Sequence, residues 1–207
     1  MRENTQIGIQ INTKSSCSFV FCFVLFSVAI AFLNVVPSIA NAAELYLETS
    51  QPEYAPNETF IADIRLNVTP PESINAIEAY LEFPKNILKV VDFSTGNSIL
   101  TFIEEPKINQ EKGLISFVGI IPGGYSGRLL GDPGKSNLLG RIVLRTIRET
   151  TQNGTRNYAK IEFLDNSQVL LSDGKGTPAK LTTKGVIIEV QPPQDVLLKI
   201  QVQKAFF

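Results

Sequence analysis

The chain has 207 residues and a formal net charge of −1, with no histidine, no tryptophan and only two cysteines. Without histidine, Ser-His-Asp and Cys-His catalysis lack their base, and zinc sites built from Cys and His have too few ligands. Nor is there the basic stripe that a nucleic-acid partner needs. Carboxylate chemistry, hard-cation binding by oxygen ligands and recognition by surface remain.

Arg2 and Lys14 precede an uncharged run, SFVFCFVLFSVAIAFLNVV at 18–36, which Pro37 breaks before Ala40-Asn41-Ala42. A basic start, an apolar helix-forming middle and a small-residue exit have the order of a secretory signal. Residues 1–42 are therefore expected to be a signal-peptide helix. The run is close to the ~20 residues that cross a bilayer, so an uncleaved N-terminal anchor is the other reading. Cys17 and Cys22 both fall in this leader. The exported domain then has no disulfide and depends on buried apolar surface, which one domain of this size can supply.

From Ala43 onward the pattern has period two. ELYLET (44–49) alternates, and ETFIADIRLNV (58–68) places Phe60, Ala62, Ile64, Leu66 and Val68 on one face. INAIEAYLEF (74–83) sets Ile77, Ala79, Leu81 and Phe83 against Ala76, Glu78, Tyr80 and Glu82. Residues 113–120, 138–147, 158–164, 168–171 and 184–190 complete the predicted strands. Short Val-, Ile-, Phe- and Leu-rich segments between turn residues predict an all-β sandwich. Asn153-Gly154 is the strongest hairpin signal, and the stretch from Pro122 to Ser136 reads as a long glycine-rich loop. Pro192-Pro193 marks a boundary, so the predicted organisation is a leader (1–42), a sandwich domain (43–191) and a C-terminal tail (192–207).

Several of these segments share a family's pattern. INAIEAYLEFPKNILKVVDFSTGNSIL (74–100), KGLISFVGI (112–120), LLGRIVLRTI (138–147) and AKIEFLDNSQVLLSDGKGTPA (159–179) together resemble the cohesin domain in order and spacing. The most telling part is the series Phe163, Ser167, Val169, Leu170, Leu171, Asp173, Gly174 and Gly176. The resemblance implies a nine-stranded antiparallel jelly-roll sandwich, without catalytic activity, that binds a dockerin module. It implies prokaryotic secretion or cell-surface display, and a link to polysaccharide degradation. Calcium, where involved, is expected on the dockerin partner, and no metal or cofactor on this chain. A membrane is expected only at an uncleaved leader.

In cohesins one flat sheet face, made by the third, fifth, sixth and eighth strands, meets the dockerin. Carried onto this chain, the face comprises Ala76, Glu78, Tyr80, Glu82, Ser116, Val118, Arg141, Val143, Arg145, Ile187 and Glu189. Glu78 stands where cohesins often place an acidic contact residue, and Ala76 where they often place Asn. An aromatic, apolar positions and mixed charges fit a buried centre with a polar rim. The plainer alternative is a set of cross-strand charge pairs among Glu78, Glu82, Arg141 and Arg145 on a solvated face.

Other candidates are weaker. Asp165, Asn166 and Asp173 offer oxygens for Ca²⁺, but they lack the spacing of an EF-hand loop, and Asp173-Gly174 reads as a turn. Glu104-Glu105, read as neighbours in a strand, would point to opposite faces and make no catalytic pair. A carbohydrate-binding module of the same fold is an alternative function, with Tyr125 as the exposed aromatic; a structural surface or adhesin domain is another.

Overall fold

The computed structural model describes residues 43–128, 136–147 and 157–192. The expected leader and its cleavage site, the Asn153-Gly154 hairpin and residues 193–207 of the tail lie outside the described residues.

Thirteen strands and no helix occur among the described residues. In chain order they are β1 (Ala43–Thr49), β2 (Glu53–Tyr54), β3 (Thr59–Val68), β4 (Ile74–Glu82) and β5 (Leu88–Ser94). Then come β6 (Thr101–Phe102), β7 (Lys107–Asn109), β8 (Leu114–Tyr125) and β9 (Leu138–Thr146). The last are β10 (Asn157–Phe163), β11 (Gln168–Leu171), β12 (Leu181–Lys184) and β13 (Val186–Val190).

The strands form two sheets. One has five strands in the order β12-β1-β3-β9-β5; the other has eight, with the path β2-β13-β10-β4-β8-β6, β11 also on β4 and β7 on β8. Most pairings are antiparallel, whereas β1 with β12 and β13 with β2 run parallel.

Alternation explains the packing, because successive side chains of a strand leave opposite faces. Phe60, Ala62, Ile64, Leu66 and Val68 line the inner face of β3, as their spacing predicts. Ile77, Ala79 and Leu81 of β4, with Phe83 just beyond it, do the same from the other sheet. Ile115, Phe117, Ile142, Leu144, Ala159, Ile161 and Ile188 close the core. Each fully buried Leu, Ile or Phe contributes about 1.5–3 kcal/mol, which is what holds a disulfide-free sandwich together.

Two glycines are required by close approach. A Cβ on Gly140 would lie 2.7 Å from ring atoms of Phe93. Its absence lets Phe93 reach Phe117 and Phe102, with ring centroids 5.6 and 6.1 Å away. At Gly185 a Cβ would meet the Ile161 carbonyl oxygen at 2.4 Å. Here the chain passes from β12 in one sheet to β13 in the other, so the single strand expected over 184–190 is two elements. The glycine-rich stretch also differs from expectation: β8 continues through Pro122 to Tyr125, and the connection starts only at residue 126.

Candidate functional site

Eight of the eleven residues expected on a partner face do share one surface, the outer face of the eight-stranded sheet. Ala76, Glu78, Tyr80 and Glu82 project from β4, opposite Ile120, Val118, Ser116 and Leu114 of β8. Ile187 and Glu189 lie farther along the same face on β13, opposite Lys160 and Tyr158 of β10. Glu82 and Glu162 face each other directly where β4 meets β10.

Arg141, Val143 and Arg145 do not join them. Their strand, β9, is hydrogen-bonded between β3 and β5 in the five-stranded sheet, so these side chains leave the opposite side of the sandwich. Outward alternation was right for them and sheet membership was not. The four-charge alternative fails for the same reason: Arg141 pairs with Asp63 and Arg145 bonds Thr59, while Glu78 and Glu82 are on the other sheet.

The centre of the eight-stranded face is held in a fixed arrangement. The Tyr80 hydroxyl donates to one carboxylate oxygen of Glu78, and Gln168 Nε2 donates to the other at 2.7 Å. The Tyr80 bond, then the Gln168 bond, hold the Glu78 carboxyl below the usual carboxylate range. The same Glu78 bond pushes the Tyr80 phenol up. Beneath them β4 loses one partner strand and gains another: β10 ends at Phe163 and β11 begins at Gln168. Ser167 fills the gap with its side chain, which bonds both the N–H and the C=O of Tyr80.

Exposed apolar groups flank this centre. Ile103, whose N–H bonds the Val118 carbonyl at 3.0 Å, is 66 % exposed, and Ile120 is 42 % exposed. Tyr158 and Ile187, diagonal neighbours on β10 and β13, are each 60 % exposed. Acidic groups predominate around them: Glu78, Glu82, Glu162, Glu189 and Glu104 against Lys160, which pairs with Glu162, and Lys107, which pairs with Glu104. Exposed apolar groups bordered by charge are the composition of a docking surface.

The outer face of the five-stranded sheet is built differently. Arg65 leaves β3 on that side yet is only 2 % exposed. Its Nε lies 2.8 Å from Glu48, its Nη1 donates to Asn137 Oδ1 at 3.0 Å, and its Nη2 bonds Asp63. Asn137 in turn donates to the Tyr46 hydroxyl at 2.8 Å. Arg141 reaches the other Asp63 oxygen with Nε at 3.2 Å and the Gly96 carbonyl with Nη1 at 3.1 Å. Glu48, Asp63 and Arg141 thus form a row across β1, β3 and β9. A cleft of about 570 Å³ opens beside this row, under the connection that follows β1.

The remaining candidates resolve simply. Asp173 closes its own turn, accepting the Lys175 N–H at 2.8 Å on one oxygen and the Thr177 hydroxyl on the other. Those two bonds, the hydroxyl first, hold its carboxyl low, and Gly174 and Gly176 supply positive φ. Glu104 and Glu105 lie in the bend between β6 and β7 rather than in a strand, and Glu104 pairs with Lys107 at 2.8 Å. Tyr125 is not the exposed aromatic, because it packs against the core; Tyr158 is. Among the described residues no cluster of three or more Asp, Glu, Cys or His side chains converges on a metal-sized site.

Sequence reasoning missed Ser167, Gln168, Ile103, Ile120 and Tyr158 on the first face, and Arg65 with its partners on the second. Tyr158 was recoverable, since alternation along YAKIEFL sets it opposite in phase to the core residues Ala159 and Ile161. Gln168 and Arg65 were not: Glu78 stands 90 residues from Gln168 and Asn137 stands 72 from Arg65, and only the pairing register brings them together.

No family model matches the chain, and no curated protein matches it. Solved structures do. A chain of a type I cohesin–dockerin complex from Clostridium thermocellum superposes with a TM-score of 0.55 at 15 % identity, covering 74 % of this chain and 96 % of that one. A cohesin module from a family 33 glycoside hydrolase of Clostridium perfringens gives 0.55 at 11 %, covering 74 % and 100 %. A non-cellulosomal cohesin from the archaeon Archaeoglobus fulgidus gives 0.52 at 15 %, covering 76 % and 96 %. The chain has a cohesin-like jelly-roll fold.

Proposed function

We propose that this chain is a non-catalytic recognition module that binds a dockerin-type protein through the outer face of its eight-stranded sheet. The observation that carries the reading is the arrangement on that face. Tyr80, Glu78 and Gln168 are locked together at its centre, between exposed Ile103 and Ile120 on one side and Tyr158 and Ile187 on the other. Side chains already ordered by hydrogen bonds lose little freedom on docking, and apolar groups around them supply the area. The likeness to a cohesin solved with its dockerin supports this class of partner. In this reading the module acts outside a prokaryotic cell, with residues 1–42 as the export signal, and takes part in polysaccharide degradation through what it tethers. Any calcium belongs to the partner's loops.

Pull-down of dockerin-bearing proteins, with calcium and with a chelator, tests this. Capture that requires calcium supports the reading; no capture of any dockerin contradicts it.

A further inference from the structure

The outer face of the five-stranded sheet carries a feature that docking on the other sheet leaves unused. Arg65 is withdrawn from water on a face where an exposed side chain would cost nothing, and it is held by Glu48 and Asp63. Buried ion pairs roughly break even against apolar packing, so stability alone does not account for such a group. Its effect is geometric: it fixes the Asp63 carboxylate at the border of the 570 Å³ cleft, a volume within the ~300–1,000 Å³ of small-ligand sites.

We propose that this cleft recognises a neutral sugar, with Asp63 and Arg141 as the ligand-binding pair and Arg65 as the residue that positions Asp63. Charge argues for neutrality. Glu48, Glu58 and Asp63 line the cleft with Arg141, and Arg65 lies behind them, so acids and bases nearly cancel. Each is already bonded: Asp63 to both arginines, Glu48 to Arg65, and Glu58 to the Ala55 N–H at 2.7 Å. A charged ligand would have to displace one of these partners.

The unused capacity is of mixed sign. A carboxylate accepts about four hydrogen bonds, so acceptor positions remain on Asp63. Arg141 uses Nε and Nη1, and among the described residues its Nη2 has no partner. The Gln51 side chain in the cleft wall has no partner among the described residues, although its backbone N–H donates to the Tyr54 hydroxyl at 3.2 Å. Neighbouring acceptors and donors suit vicinal hydroxyls, each of which both donates and accepts. Ile61, 47 % exposed in the lining, offers an apolar contact for the C–H face of a ring. This site is independent of dockerin binding and lies on the opposite sheet.

Calorimetric titration of the full chain with cellohexaose, xylohexaose, mannohexaose and chitohexaose tests the proposal, with an oligogalacturonate and a lysine oligomer as charged controls. At least one neutral oligosaccharide is expected to bind. Arg141→Ala and Asp63→Asn should each weaken it at least tenfold with unchanged circular dichroism, and Tyr80→Ala should leave it unchanged. If Asp63→Asn does not fold, Arg141→Ala decides alone. Absence of binding to every neutral probe at millimolar concentration, preference for a charged control, or wild-type affinity in the folded variants overturns it. Dockerin capture by Arg141→Ala, expected to be normal, keeps the two sites distinguishable.

Discussion

The Ser167 hydroxyl stands in for a strand at Tyr80: it accepts the Tyr80 N–H at 3.0 Å and donates to the Tyr80 carbonyl at 3.1 Å. β4 is thereby kept continuous through the four residues, Leu164 to Ser167, that separate β10 from β11. Ser167→Ala leaves the Tyr80 N–H without a partner in a part-buried site. The expected loss is about 1–3 kcal/mol of unfolding free energy, read from denaturant titration. An unchanged midpoint would show that water replaces the hydroxyl at no cost.

Glu78 should make stability depend on acid pH. Its folded pKa lies below the ordinary value of 4.5, so the group contributes stability above that value and loses it as pH falls through the folded pKa. The stability difference between the native chain and Glu78→Gln should therefore be widest above about pH 5 and shrink on further acidification. A difference independent of pH between 2 and about 6 would remove the Tyr80 and Gln168 bonds as its cause.

Gly140 and Phe93 share one space. Gly140→Ala puts a methyl where the Phe93 ring lies, which should cost about 1–3 kcal/mol as overpacking does. Phe93→Leu in the same chain should recover part of that loss, giving a coupling of about 0.5 kcal/mol or more in a double-mutant cycle. Strictly additive effects would contradict the contact.

Arg65→Met removes the buried cation that Asp63 and Glu48 share, while Asp63 keeps its bond to Arg141. Asp63 is 17 % and Glu48 48 % exposed, so water reaches both carboxylates. The cost should then be about 1–3 kcal/mol, the range for an unsatisfied polar group, instead of the larger penalty of a fully buried charge. Thermal unfolding followed by far-ultraviolet dichroism measures it.

Core positions were legible because alternation is a local property: Phe60, Ile64, Leu81 and Phe117 can be assigned inward from their immediate neighbours. Sheet membership is not local. The outward residues of β9 alternate as cleanly as those of β4, and nothing within LLGRIVLRT tells which sheet it joins. That choice is made by pairing with β3, some eighty residues earlier, in a register that sets Asp63 against Arg141. Arg65 gave no signal for a related reason: its outward phase on β3 does not show that Asn137 and Glu48 are brought over it. Tyr125 was misjudged because its glycine-rich neighbours resemble a loop, whereas β8 carries it on to pack against the core.

The account stands on which face docks. Val118 lies on the outer face of the eight-stranded sheet, opposite Glu78, and Val143 on the outer face of the other sheet, opposite Ile61. Surface plasmon resonance against a calcium-loaded dockerin, comparing Val118→Asp with Val143→Asp, separates the two directly. At least a tenfold loss of affinity in Val118→Asp alone is the predicted result; loss confined to Val143→Asp, or equal binding by both variants, would contradict it.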